Sequence, residues 1–185
     1  SLNAVPEMIW VKRRDTTGQW IVGHIGLDGG TAPWTHYLTL ETADAEGDYP
    51  LFYDTAPTST YFTVGGHAEV NGNTNKFITM LFSSVAGISK CGYYTGTGSD
   101  HTITVGFEPR LVIIKKINSA SNSDWVLFDS LRGIGSGNDP ILELNQSAAQ
   151  DNFDVMDKTS TAFTILGSFS KGNATGDKYI YYAHA

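Results

Sequence analysis

The sequence is poor in the residues that usually carry chemistry. Its 185 residues hold a single cysteine, Cys91, so neither an intrachain disulfide nor a cysteine-based metal centre can form. A small buried thiol beside a strand is the expected role of that residue. Charge is sparse, at 17% of residues, and one-sided, with 12 Lys and Arg against 19 Asp and Glu for a net −7. An acidic chain of this kind suits neither nucleic acid nor an anionic membrane surface, and no partner of either class is expected. No apolar run approaches the roughly 20 residues of a membrane-spanning helix, and no leader pattern of the secretory type opens the chain. No window of ten or more residues carries helical periodicity.

Catalytic and metal-binding patterns are missing too. The five histidines (His24, His36, His67, His101 and His184) are scattered over separate segments without ligand spacing, and are expected at the surface or partly buried. There is no nucleophile elbow. The Gly-rich stretches GIGSG and GTGSD lack the lysine and following helix of a phosphate loop. Asp44, Glu46 and Asp48 offer a weak calcium pattern without the full loop signature. Together with Glu41 and Asp54 they are also the candidates for a pair of carboxylates cleaving a glycosidic bond. Neither pattern goes beyond an acidic loop in solvent, so no catalytic residue, metal or cofactor is assigned.

Short alternating segments fill the chain. Strands are predicted at 8–13, 20–25, 34–41, 50–54, 60–65 and 76–85. Further strands are predicted at 88–95, 102–107, 111–117, 124–129, 141–145, 161–167 and 177–184. Asn71-Gly72 reads as a hairpin turn, and Ser147-Ala148-Ala149 as one turn of helix. The basic clusters at 12–14 and 115–116 are expected as solvated strand ends that discourage edge pairing.

The chain also repeats itself. Val5-Pro6-Glu7 before Met8-Ile9-Trp10-Val11 is echoed by Glu108-Pro109-Arg110 before Leu111-Val112-Ile113-Ile114, an offset of 103 residues from Pro6 to Pro109. Trp20 aligns with Trp125, Leu38 with Leu142, Thr58 with Thr159 and Lys76 with Lys178. The five blocks stay in order, and their offsets drift only in Gly-, Asn- and Ser-rich loops, as an internal repeat requires. The expected architecture is all-β: an antiparallel, jelly-roll-like β-sandwich built from two tandem repeats with pseudo-two-fold symmetry. Residues 1–87 form the first repeat, 88–107 the seam and 108–185 the second. Each repeat is marginal for an independent core, so one joint unit is expected rather than two small sandwiches. Trp20 and Trp125 should lie at equal depth, as should Phe62 and Phe163, and the Gly-rich loops after Ile25 and Asp129 should correspond. Residues 1–6 resemble the seam at 104–109, so the chain is expected to be cut from a longer one.

Aromatic rings, 12% of residues, are the positive functional signal. Trp34, His36 and Tyr37 follow a Gly-rich loop, and Tyr49, Phe52 and Tyr53 follow the acidic segment. Rings beside Asp and Asn suit sugar binding, with faces stacking and carboxylates holding hydroxyls. The same rings suit a sandwich core, and the residues alone leave both readings open. A ligand surface, if present, falls on Trp34, Tyr37, Tyr53 and Asp54, which lack aromatic or acidic counterparts in the second repeat.

The seam carries a family resemblance. SKCGYYTGTGS, an alternating strand, GFEPRLVIIKK and then a W-V-x-F-D block resemble a repeat in virion appendage proteins of tailed bacteriophages, many of them marine. VPEMIWVKRRDTTGQW and DTAPTSTYFTVG match the same pattern, and the likeness covers nearly the whole chain. The resemblance implies a non-enzymatic tail-fibre, baseplate or capsid-appendage domain on a virion, exposed to the extracellular medium and contributing to host-surface recognition. It implies other virion proteins, and a host-surface glycan, as partners, and homo-oligomerisation of the full-length protein, with a trimer favoured. The alternative reading is a carbohydrate-binding module or a glycan depolymerase. The family supplies no catalytic residues to carry over.

Overall fold

The structure is a computed structural model that describes residues 3–135 and 137–185. Ser1 and Leu2, used in the comparison of residues 1–6 with the seam, and Ser136 of the loop after Asp129 lie outside the described residues. In chain order the strands are β1 Met8–Arg13, β2 Trp20–His24, β3 His36–Thr39, β4 Gly47–Asp48 and β5 Phe77–Phe82. The seam supplies β6 Ser89–Thr95 and β7 His101–Thr104. There follow β8 Leu111–Lys116, β9 Val126–Asp129, β10 Asp139–Glu143, β11 Asp151–Phe153, β12 Met156–Lys158, β13 Ala162–Ile165 and β14 Lys178–His184. Two one-turn helices, α1 Ala68–Asn71 and α2 Ser170–Asn173, precede the last strand of each half. The protein is an all-β antiparallel sandwich of three sheets.

The layers follow from strands that are apolar on both faces. In β1, Met8 and Trp10 face one way into a core with Val22, Leu38 and Trp125, while Ile9 and Val11 face the other way into a core with Ile21, Trp34 and Phe52. In β8, Ile113 joins the first of these cores and Val112 and Ile114 enter a third, with Phe128, Phe163 and Tyr179. Such strands read as continuous apolar runs because neither face meets water. The middle core therefore lies between the two large sheets and draws on both halves of the chain. Trp125, 1% exposed, anchors it, and its Nε1–H donates to Thr39 O at 2.9 Å.

The two large sheets run β4-β3-β2-β1-β5 and β11-β10-β9-β8-β14-β6. In each, three hairpin-linked strands are joined by a later strand that returns beside the first, the Greek-key order. The ladders also share their register. Ile78 lies opposite Lys12 as Ile180 lies opposite Lys115; Val22 lies opposite Trp10 as Leu127 lies opposite Ile113; Asp48 lies opposite His36 as Asn152 lies opposite Pro140.

The halves differ outside these ladders. The second large sheet has a sixth strand, β6, beyond β14. The second half is roofed by a sheet of order β12-β13-β7, whereas residues 50–54 and 60–65 form turns and irregular chain rather than strands. Phe62 is consequently half-buried while Phe163 is fully buried, and Trp20 is half-buried against the fully buried Trp125; neither pair is equivalent in depth. Asn71-Gly72 closes α1 instead of turning a hairpin: the His67 imidazole caps that helix by accepting Glu69 N–H, and a local cap outcompetes the turn propensity. Residues 147–149 are not helical.

Lys115 and Lys116 are not solvated ends. Their side chains are buried, Lys115 donating to Asp44 O at 2.9 Å, Lys116 O at 2.8 Å and Ser123 Oγ, and Lys116 pairing with Asp177 at 2.8 Å. Burial pulls Lys115 down to about 7. The long stems cross the apolar layer to reach acceptors beyond it, which tie the loop after β3 to the second half.

His24 is also fully buried, where a surface or partly buried position was expected; His36 and His101 are half-buried, and His67 and His184 exposed. Its Nδ1 accepts Gly26 N–H at 3.0 Å, so the proton sits on Nε2, which donates to Tyr181 O at 3.2 Å. Both bonds suit the neutral ring, and burial lowers its pKa to about 4. Because the unfolded ring protonates near the ordinary value of about 6.5, the unfolded state binds the extra proton between those two values. Stability therefore falls as pH drops from about 6.5 to about 4, by roughly 3 kcal/mol, and this contribution then levels off. Urea midpoints measured across that range should show the slope, and His24→Gln, whatever its constant cost, should flatten it.

Candidate functional site

The segment between β4 and α1 is built around one buried ring. Phe52, 1% exposed, plugs the outer face of the first sheet and meets Trp34 edge-on at 5.7 Å. Gly23 of β2 makes room for both rings: a Cβ there would lie 2.7 Å from Phe52 and 2.9 Å from Trp34. With Phe52 pinned inward, the chain turns back at Tyr53 (φ 56°) and Asp54 (φ 47°). Two successive non-glycine residues in the left-handed region are costly, of the order of 1 kcal/mol or more each. The pair is held by Tyr53 N–H to Pro50 O at 3.2 Å, Thr55 N–H to Phe52 O at 3.2 Å and Thr55 Oγ1 to Tyr53 O at 2.7 Å. The turn pushes the Tyr53 ring outward, 65% exposed, with Asp54 beside it.

These residues line a cleft of about 650 Å³ together with Tyr49, Pro50, Gly65, Gly66, His67 and Ala68, a volume that admits a small ligand. Tyr49, 50% exposed, stands edge-on to His67 at 5.5 Å. The walls close because Gly65 N–H reaches Leu51 O at 2.8 Å, an approach only glycine allows, since a Cβ would fall 2.1 Å from Pro50 O. Among the described residues, no hydrogen bond within the protein engages the Asp54 carboxylate or the Tyr49 and Tyr53 hydroxyls. The cleft thus offers apolar ring surface, one carboxylate, two hydroxyls and an imidazole.

Of the four residues expected at a ligand surface, the structure brings together Tyr53 and Asp54. Trp34 is not a platform: it is 7% exposed and belongs to the core with Phe52 and Ile21. Only its rim reaches a shallow depression of about 210 Å³, shared with Asp54 and Ala56. Tyr37 is half-buried against that core and packs over Gly47. Both rings are held inward because a short 3₁₀ turn, Pro33–Thr35, replaces the first part of the expected strand and rolls Trp34 beneath the sheet. Tyr49, one of the rings after the acidic segment, and His67 join the cleft although neither is among the four expected ligand-surface residues. A ring just past an edge strand and a histidine capping a one-turn helix were the available signals.

The second half carries a cleft as well. A cleft of about 380 Å³ lies between the segment after β10 and the start of α2, lined by Phe153, Asp154, Phe169 and Lys171 among others. The shared ladder register sets Phe153, 58% exposed, where Tyr49 stands in the first half. Here Lys171 and Glu143 are already engaged: Lys171 Nζ pairs with Asp124 at 2.8 Å and with Glu143. Burial opposes the charge of Asp124, yet hydrogen bonds from Lys171, Gln146 and Asn145 bring it down to about 2.

The loop acids disperse. Glu41 accepts Trp20 N–H at 3.0 Å, and Glu46 accepts Asp28 N–H at 2.7 Å, with burial raising its pKa. Asp44 contributes its carbonyl to Lys115, and Asp48 is exposed on β4. Among the described residues no group of three His, Cys, Asp or Glu side chains gathers to hold a metal.

A protein family described as a domain of unknown function (DUF7483) matches residues 1–185. The chain belongs to that family. No curated protein and no solved structure matches the chain. Within the family fold, the burial of Trp34 has a direct consequence. Trp34→Ala should cost about 3–5 kcal/mol by opening a core cavity, and calorimetry should show the lowered melting temperature, separately from any change in ligand binding.

Proposed function

We propose that this domain is a non-enzymatic binding module of a virion appendage, and that the first-half cleft takes a carbohydrate of the host surface. The observation that carries the binding reading is the Tyr53–Asp54 pair: an outward ring beside an unengaged carboxylate, both in a costly backbone conformation that the surrounding packing maintains. Strain of this kind gathers at ligand sites, and a ring beside a hydroxyl acceptor is the pairing that sugars use, with C–H faces on the ring and hydroxyls on the oxygen. Tyr49 extends the apolar surface, and His67 supplies a second polar edge. The virion setting rests on the resemblance of the seam motifs, with other virion proteins as its structural partners.

Binding is favoured over hydrolysis by where the acids are. Glu41 and Glu46 are committed to backbone N–H groups, and Asp54 is the only carboxylate among the residues lining the cleft. A depolymerase would need a second acid within a few ångströms.

The test is a glycan-array and host-cell binding assay on the wild type, Tyr53→Ala and Asp54→Asn. Each variant should lose about tenfold or more in affinity, the worth of one stacked ring or one charge-assisted bond, with an unchanged melting temperature. Unaltered binding in both variants would remove the cleft from consideration. Release of reducing ends from a bound polysaccharide by the wild type, abolished in Asp54→Asn, would replace this reading with the hydrolytic one.

A further inference from the structure

The two halves of the molecule supply an internal comparison. In the second half, one contiguous segment covers two places at once. β6 closes the outer edge of β14 over seven rungs, from Lys178 opposite Thr95 to His184 opposite Ser89. After a short turn, β7 pairs with β13, from Ala162 opposite Thr104 to Ile165 opposite His101. Beneath this cover Ile180 is 1% exposed, and Phe163 and Ile165 are fully buried.

In the first half both corresponding places are open among the described residues. β5 is the last strand of its sheet. Lys76 O and Phe82 O accept from the β1 side, from Arg14 and Glu7. By the alternation of an antiparallel ladder, the N–H and C=O groups of Phe77, Thr79 and Leu81 therefore point away from β1. Ile78, on the rung that corresponds to Ile180, is 46% exposed, and Met80 and Leu81 are 39% and 37% exposed. The strand has neither charge nor proline, so it lacks the usual devices that protect an edge. The second place is residues 60–65, which form no ladder; Tyr61 is 57% exposed, and Phe62 and Val64 are half-buried.

We propose that this open flank of the first half is an acceptor for a strand–turn–strand segment of the seam type. Its first strand adds to β5 as β6 adds to β14, and its second orders residues 60–65 as β7 orders β13. The occupant is defined chemically: an extended, largely uncharged segment with an aromatic residue opposite Ile78 and a small one opposite Met80, as Tyr93 stands opposite Ile180 and Cys91 opposite Tyr182. Backbone pairing along the edge supplies affinity, and the alternate side chains supply selectivity, the general mode of strand addition. A single segment explains why two separate sites are open in the same half, which no isolated edge defect does. The inference does not rest on the carbohydrate reading: of its residues only Gly65, at the end of the 60–65 segment, also lines the cleft.

The probe is a synthetic peptide of residues 88–107, kept reduced and titrated into the intact domain. Saturable binding is expected, with amide hydrogen exchange slowed at least tenfold at Thr79 and Leu81 and new protection within residues 60–65. The paired exposed-face change Ile78→Lys with Met80→Lys, and separately Thr79→Pro at an outward N–H, should each abolish the protection while circular dichroism and melting temperature stay near wild type. No saturable binding overturns the proposal. So does protection confined to β14, which would mean that the peptide displaces the resident β6. Light scattering that shows a dimer without peptide, with Thr79 already protected, overturns it in favour of a second copy pairing edge to edge.

Discussion

The structure depends on one packing constraint: both large sheets are apolar on both faces. A sheet of that kind cannot end at the middle layer, however well that layer is packed. Ile9 and Val11 of β1, like Val112 and Ile114 of β8, would meet water without a further cover, and the cost would scale with the apolar area left exposed. The molecule meets the constraint with four layers. The two sheets share a middle core between them, the irregular chain between β4 and β5 covers one outer face, and a small sheet covers the other. Trp125 and the buried Lys115 fix the middle layer, each bonded to a backbone carbonyl contributed by the opposite half.

That arrangement explains where the candidate site lies. The cover on the first sheet must bury Phe52 and Leu51 while turning sharply enough to return to α1. The turn at Tyr53 and Asp54 follows from this, and the cleft is the space between the turn and the helix start. The second half makes a cleft in the corresponding place, but its cover is a regular sheet and its Lys171 is paired with Asp124 and Glu143. A common scaffold thus carries two clefts of different chemistry, one with two tyrosines and a single carboxylate, the other with a lysine tied to two carboxylates.

Much of the fold was legible in local pattern. The strands β1, β8 and β14, and the approximate positions of β2, β5, β6, β9 and β13, follow from alternation and apolar runs, because such segments are stable only as buried strands. The legible part ends where one pattern serves two environments. Lys115 and Lys116 look like a solvated strand end, and become buried because carbonyls of other segments wait at the far side of the layer. Asn71-Gly72 has hairpin chemistry, yet closes a helical turn once His67 caps it. Strand-like residues at 60–65 stay irregular without a neighbouring strand, while the similar residues of β13 form a ladder between β12 and β7.

The same division runs through the candidate site. The sequence by itself determined the all-β class, the order of short strands, the chemical poverty of the chain and the concentration of rings around residues 34–53. Those properties depend on composition and on neighbours along the chain. Only the tertiary structure decided which rings face solvent. Trp34 and Tyr53 are both rings in short irregular segments, but Gly23, on a different strand, opens a space into which Trp34 and Phe52 pack. Phe52, once inside, forces Tyr53 out. Which ring is core and which is surface depends on volume available in another strand, and no local pattern encodes that volume.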